Sequence, residues 1–113
     1  MTREDIMGDR ILMVSRMDPD NADTVARLFA EHDRSDLPRR VGVSSRTLFH
    51  YQGLTMHLIQ AEHDIRESVL ALHREPAFRE VNEQLAPYMS PIVSDWRGVG
   101  DSQAMEFYHR SWV

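Results

Sequence analysis

The stretch from Arg46 to Ala61 constrains the fold more than any other part of the chain. It contains two runs that alternate apolar with polar residues, and the pair Gln52-Gly53 separates them. Alternation with a period of two is typical of a half-buried β-strand, and glycine supplies the positive φ that a tight turn needs. The stretch therefore predicts a β-hairpin with a two-residue turn.

A turn at this position also predicts which side chains share a face of the hairpin. Leu48 then lies opposite His57, and Arg46 and His57 become diagonal neighbours about 7–8 Å apart at the backbone, within reach of one small ligand. One face mixes apolar with cationic or titratable groups, and the other is nearly all apolar. The mixed face carries Arg46, Leu48, His50, Thr55, His57 and Ile59; the apolar face carries Thr47, Phe49, Tyr51, Leu54, Met56 and Leu58.

The composition excludes several functional classes. All 13 residues counted as Lys+Arg are Arg, and the chain has no Cys, so lysine Schiff-base chemistry, thiol nucleophiles and thiolate metal sites are excluded. The net charge is −5 and no predicted element concentrates basic residues. We therefore expect neither a nucleic-acid partner nor a membrane partner.

The length of 113 residues predicts one domain that can keep a small cavity without disulfides. Residues 1–8 are charged and lack an apolar core, which indicates a flexible N-terminal tail and no signal peptide. The domain then covers residues 9–113. No run is long enough to span a bilayer, so we expect a cytoplasmic protein.

Strand and helix patterns alternate along the domain. Asp20 is a plausible N-cap for a first helix, Asp64 with Glu67 resembles a capping box for a second, and Pro76 begins a further helical segment. The predicted strands are Asp9–Met17, Arg39–Tyr51, Leu54–Ala61 and Met105–Val113.

The resulting order, β-α-β-β-α-β, predicts an α+β, ferredoxin-like fold in which helices cover one face of an antiparallel sheet. The other, apolar face then lacks a cover from its own chain. A second copy would cover it, so we predict a homodimer packed through sheets or strand edges.

Four polar side chains are candidates for chemistry. His32 follows Val25 by seven residues and so continues the apolar stripe of the first helix, and Asp33 stands beside it. Arg46 and His57 come from the mixed face of the hairpin. Each residue also has a structural interpretation, as a core, helix-terminal or interface histidine or as one half of a surface ion pair.

A metal site is a weaker interpretation of the histidines. Two or three of them with Asp33 have suitable donor atoms for Zn²⁺, but none has the four-residue helical spacing or the His-x-His strand spacing of a recognisable site. We expect no metal. His50, His63, His73 and His109 are expected at the surface.

Short motifs from about Arg10 to Tyr108 resemble the tetracenomycin-type aromatic polyketide cyclases. They are Arg-Met-Asp-Pro (16–19), Phe-Ala-Glu-His-Asp (29–33), Leu-Pro (37–38) with Gly42-Val43, Arg-Thr-Leu-Phe (46–49), Met-His-Leu-Ile-x-Ala (56–61), Pro-x-Phe-x-Glu-Val-Asn-Glu (76–83), Asp95-Trp96, Asp101-Ser102 and Phe107-Tyr108. The resemblance implies a ferredoxin-like homodimer of the dimeric α/β-barrel type.

It also implies an activity and a site. A member of this family would cyclise an aromatic (type II) polyketide intermediate by intramolecular aldol condensation and dehydration, without a cofactor. The family's site residues fall on His32, Asp33, Arg46 and His57. The candidates to line an aromatic slot are Phe29, Phe49, Met56, Tyr51 and Trp96.

The sequence leaves several points open, among them which of His32 and His57 acts as the base at the methylene and which as the acid at the carbonyl oxygen. The intermediate is either free or presented by an acyl carrier protein. The chain is alternatively a non-catalytic accessory protein that confines the intermediate for the synthase. A third interpretation is a cofactor-free oxygenase of the same architecture.

Overall fold

The structure is a computed structural model that describes residues 9–112, so the tail predicted at residues 1–8 lies outside the described residues. The strands are β1 (Arg10–Met17), β2 (Val43–Tyr51), β3 (Leu54–Ala61) and β4 (Met89–Pro91). The helices are α1 (Ala22–His32), α2 (Leu37–Val41), α3 (Arg66–Leu70) and α4 (Pro76–Leu85). Short 3₁₀ turns occupy Pro19–Asn21, Ala71–Arg74 and Val99–Ser102.

The four strands form one antiparallel sheet in the order β2-β3-β1-β4. The first and third strands are neighbours in this sheet, as the ferredoxin-like order requires. The predicted α+β fold is therefore confirmed.

The predicted last strand, Met105–Val113, is wrong. The fourth strand is the short β4, which pairs with the end of β1, where Met89 lies opposite Met17. Beyond it, Gln103 forms one bridge to Met13, and the Ala104 N–H donates to the Leu12 carbonyl at 2.7 Å. The chain from Met105 to Trp112 then has no strand structure, and Phe107 is 88% exposed.

Two prolines explain why the sequence conceals β4. Pro87 precedes β4 by two residues and Pro91 is its last residue, and a proline is tolerated on an edge strand because one side of that strand needs no partner. The alternating apolar residues near Met105 have strand propensity, yet among residues 9–112 they find no neighbouring strand to pair with.

Three element boundaries also differ from the prediction. β2 begins at Val43, because residues 37–41 form α2, which ends at Gly42 with φ +106°. Asp18, and not Asp20, caps the chain before α1: its carboxylate accepts the Asp20 N–H at 2.9 Å and closes a 3₁₀ turn. The helix predicted after Asp64 is short and continues as the 3₁₀ turn at Ala71–Arg74, whereas α4 begins at Pro76 as predicted.

The hairpin follows the predicted register. Gln52 and Gly53 both have positive φ, +49° and +81°, and Leu48 lies opposite His57. The mixed face is directed towards the helices, so that His57 is buried. On the apolar face, Phe49 and Tyr51 are 50% and 64% exposed.

The helices and the inner sheet face enclose two apolar clusters. One joins α1 and α4 to the sheet through Met17, Val25, Phe29, Val81 and Leu85, and the other joins α3 to it through Ile11, Ile59, Ile65 and Val69. Within residues 9–112, no helix is long and apolar enough to cross a bilayer.

We predict that the turn depends on Gly53. A Cβ at Gly53 would meet no atom within 4 Å, so Gly53→Ala changes only the backbone energy. Placing an L-residue at φ +81° should lower the free energy of unfolding by about 1–2 kcal/mol, measured by urea denaturation. Gly98→Ala is the matched control, because Gly98 has equally open space but an extended φ of 171°. Equal stability of the two variants would contradict the prediction.

Candidate active site

A cavity of about 360 Å³ lies between the inner face of the sheet and the helices α1, α2 and α4. Most of its wall is apolar. The polar side chains on the wall are those of Ser15, His32, Arg46, His57, Asn82, Ser90 and Ser102. A hollow of this kind, with a few convergent polar groups, is the usual form of a small-molecule site.

The guanidinium of Arg46 organises the polar side of the cavity. Its Nε and Nη2 donate to the Asp33 carboxylate at 3.0 and 2.7 Å, and its Nη1 donates to His57 Nε2 at 2.9 Å. The Arg46 Cζ also lies 4.8 Å from the centre of the Phe29 ring, in a cation–π contact. One cation therefore joins the end of α1 to two strands of the sheet.

The contact with Arg46 assigns the tautomer of His57. A guanidinium has only N–H donors, so His57 Nε2 must accept and the ring proton resides on Nδ1. Burial and, next, the Arg46 charge lower the pKa of His57 to about 3, although the Asp33 charge partly opposes them. His57 is therefore a neutral imidazole at pH 7, and Phe29 packs edge-on against it at 5.2 Å.

His32 lines the same cavity from the end of α1 but is less buried than His57. Burial lowers its pKa, and the Arg46 charge adds to that effect, while the Asp33 and Glu80 charges raise it. Among residues 9–112, no hydrogen bond fixes the His32 ring. Its nitrogens can therefore meet a ligand directly.

The structure thus brings His32, Arg46 and His57 to one cavity. Asp33 is 38% exposed at its rim and holds Arg46 in place. Phe29 and Trp96 also line the cavity, as the aromatic candidates from the sequence.

Phe49, Tyr51 and Met56 do not share this cavity. They alternate with Leu48, His50 and His57 along β2 and β3, and successive strand residues point to opposite faces. The three therefore lie on the outer face of the sheet, away from the helices. Their proposed place in the same slot as His57 is corrected accordingly.

The sequence interpretation missed the other polar groups of the wall. The sequence pattern could have predicted two of them. Ser15 lies between Met13 and Met17 on the inner face of β1, and Asn82 follows Phe78 by one helical turn. No sequence pattern could have predicted Ser90 and Ser102, because they come from an unrecognised strand and from a 3₁₀ turn.

The chemical capacity of the site follows from these contacts. A fixed cation beside two imidazoles, in an apolar hollow, can stabilise a negative oxygen while a neighbouring imidazole accepts or donates a proton. Among residues 9–112, no group of three or more His, Asp and Glu side chains could hold a metal ion.

Comparison with known proteins gives three similarities. Residues 9–112 match the model of the family described as polyketide synthesis cyclase. The chain is 47% identical to tetracenomycin F2 cyclase of Streptomyces glaucescens over 107 residues, which are 95% of this chain and 96% of that protein. It is 31% identical to the polyketide synthase CurG of Streptomyces cyaneus over 99 residues, covering 87% of this chain and 92% of that one.

A solved structure is similar as well. The structure of tetracenomycin F2 cyclase from Streptomyces glaucescens, a type-II polyketide cyclase, superposes with a TM-score of 0.85. The two are 45% identical, and the match covers 92% of this chain and 98% of that chain.

We predict that His57 makes the stability of the protein depend on pH. Its pKa falls from 6.5 in the unfolded chain to about 3 in the folded one, so only the unfolded chain takes up its proton between those values. Stability is therefore complete above about pH 6.5 and falls as the pH decreases. Between pH 7 and pH 5 the loss due to His57 should be about 2 kcal/mol.

Urea denaturation at the two pH values measures this loss, with His57→Gln as the comparison. Glutamine retains an acceptor for Arg46 but does not titrate, so the variant should lose less stability on acidification. The same loss in both proteins would show that His57 is not held neutral by the fold.

Proposed function

Because the chain belongs to the polyketide synthesis cyclase family, we propose that it cyclises an aromatic (type II) polyketide intermediate by cofactor-independent intramolecular aldol condensation and dehydration. The observation that supports this chemistry best is the guanidinium of Arg46, held beside two imidazoles inside an apolar cavity. An aldol reaction needs a proton acceptor and an oxyanion partner at one place.

The first contribution of the protein is to fold the substrate. A poly-β-ketone is flexible and can close in several ways, so the cavity has to select one arrangement of the reacting carbons. Holding two reacting groups together can supply up to ~7–11 kcal/mol of the barrier, whereas one positioned acid or base adds ~10²–10⁴-fold in rate. The shape of the cavity therefore outweighs any single histidine.

Proton abstraction opens the reaction. A methylene group between two carbonyls gives its proton to the lone pair of His32, and the C–H electron pair moves into the enolate, whose oxygen lies against Arg46. Burial and the Arg46 charge both disfavour a protonated His32 imidazole and so lower its pKa. An enolate on Arg46 offsets that charge and raises the pKa of the histidine at the moment when it takes the proton.

Carbon–carbon bond formation follows. The enolate carbon attacks the second carbonyl carbon, and the new alkoxide takes the proton that His32 accepted in the first step. His57 polarises this carbonyl as a neutral donor through Nδ1–H, because Nε2 already faces Arg46. His32, neutral again, takes the remaining proton of the nucleophilic carbon, the departing hydroxide combines with that proton as water, and enolisation of the ring carbonyls completes the aromatic ring. One donor to such an oxyanion is typically worth ~2.7–4 kcal/mol.

The outer face of the sheet supports a homodimer. It exposes Phe49 and Tyr51 beside Leu12, Val14 and Leu58, and exposed apolar patches of this kind mark protein interfaces. The exposed apolar side chains of Met105, Phe107 and Tyr108 add to the surface that a second copy would cover.

We predict that acid/base variants lose turnover without losing the fold. His57→Ala and His32→Ala should each lower kcat by ~10²–10⁴-fold and leave the spontaneous ring-closure products visible by chromatography. The losses should not add in the double variant, because the two residues serve one reaction. His109→Ala, an exposed histidine outside the cavity, is the matched control.

The double variant separates the alternative functions. Wild-type rate and product without His32 and His57 would refute acid/base catalysis. Retained product selectivity at the spontaneous rate would favour the accessory protein that only confines the intermediate. A requirement for O₂ would instead identify an oxygenase.

We also predict that a charge on the outer sheet face breaks the homodimer. Phe49→Asp removes a large apolar contact from each copy, so the Kd of the dimer should rise ~100-fold or more, measured by sedimentation equilibrium. Ala26→Asp places the same charge on the exposed side of α1 and should leave the Kd unchanged. A wild-type chain that sediments as a monomer would contradict the proposal.

A further inference from the structure

A second hollow, here called the annex, adjoins the catalytic cavity. It has a volume of about 380 Å³ and borders the segment that connects α3 to α4 and the loop around residues 96–100. The residues that line the annex but not the catalytic cavity include Leu70, His73, Arg79, Glu83, Arg97 and Gly98.

The annex and the cavity share four residues. Phe78 and Asn82 stand one helical turn apart on α4, and Trp96 and Val99 face them from the loop. The Trp96 Nε1–H donates to the Ser102 hydroxyl at 2.7 Å, which ties the border to the catalytic side. The two hollows therefore adjoin along these four residues.

The annex offers two guanidinium groups. The backbone carbonyl of His73 accepts a hydrogen bond from Arg79 Nη1 at 3.0 Å, so that side chain is held at the annex. Within residues 9–112, neither Arg79 nor Arg97 forms an ion pair with a carboxylate, although Glu83 also lines the hollow. The Asp101 carboxylate accepts the Arg97 backbone N–H at 2.7 Å, but within the described part of the chain the two guanidinium groups themselves form no ion pair and are suited to an anion.

We infer that the annex binds an anionic group at the end of the same intermediate whose reacting carbons lie in the catalytic cavity. The inference rests on the proposed function, since it takes the ligand to be an acyl chain. Aromatic and apolar residues at the border cover the middle of that chain, and Arg79 and Arg97 bind its terminal oxygens.

Two sources supply such an anion. A released intermediate ends in a carboxylate, whereas a carrier-bound intermediate ends in a thioester on an arm that carries a phosphate. Both present anionic oxygens that a guanidinium binds through two parallel hydrogen bonds. Binding of the two probes can distinguish the sources.

Isothermal titration calorimetry on the full chain tests the inference. The probes are a linear polyketide acid, its methyl ester, pantetheine 4′-phosphate and pantetheine. The double variant Arg79→Gln, Arg97→Gln should raise the Kd of an anionic probe by roughly tenfold or more and leave that of its neutral analogue unchanged. Arg27→Gln, on the exposed side of α1, is the control and should bind like wild type.

The outcomes are separable. If the double variant loses affinity for the polyketide acid alone, the substrate is free. If it loses affinity for pantetheine 4′-phosphate alone, the substrate is carrier-bound. An unchanged Kd of the anionic probes in the double variant would contradict the inference that the annex binds an anion. The absence of saturable binding of either anion to the wild-type protein would contradict it as well. If binding depends on the two arginines but the protein forms no cyclised product, the anion site is supported and the proposed cyclase activity is refuted.

Discussion

The contacts of Arg46 connect the parts of this molecule that matter for its chemistry. Its guanidinium reaches the carboxylate at the end of α1, the imidazole of β3 and the ring of Phe29. A largely buried cation is costly unless its donors are paired, so these partners stabilise the fold as well as the site. Burial lowers the pKa values of His32 and His57, and the Arg46 charge adds to that effect. The arrangement of the candidate site, and with it the proposed chemistry, therefore depends on one side chain.

Much of this arrangement follows from local sequence patterns. The Gln52-Gly53 turn predicts the register of the hairpin, and the register places Arg46 and His57 on one face. The spacing from Val25 through Phe29 to His32 directs the end of α1 to the same side. These inferences are reliable because strand and helix periods are fixed by backbone geometry. The same alternation places Phe49 and Tyr51 on the opposite face of the hairpin from His57. The prediction that one aromatic slot contains all of these residues overlooked this.

The remaining features depend on contacts that are distant in sequence. Residues near Met105 have the pattern of a strand, but the edge of β1 that they would need is partly occupied by β4. Residues 37–41 become a helix because Gly42 can end it with a positive φ and so return the chain to β2. The walls of the cavity include short segments, such as the 3₁₀ turn at Val99–Ser102, whose positions depend on packing. No periodic signal could have predicted them.

The hairpin has two faces of different character. The mixed face carries Arg46 and His57, and the other face is apolar and exposed. Both are assigned by the parity of a turn with only two residues. One inserted amino acid in that turn would exchange the faces along one strand, so that a histidine would emerge into water and an aromatic ring would enter the core. Length variation among natural relatives should therefore accumulate elsewhere, in the connections around α2 and after β4. The turn itself should keep its length even where its residues change.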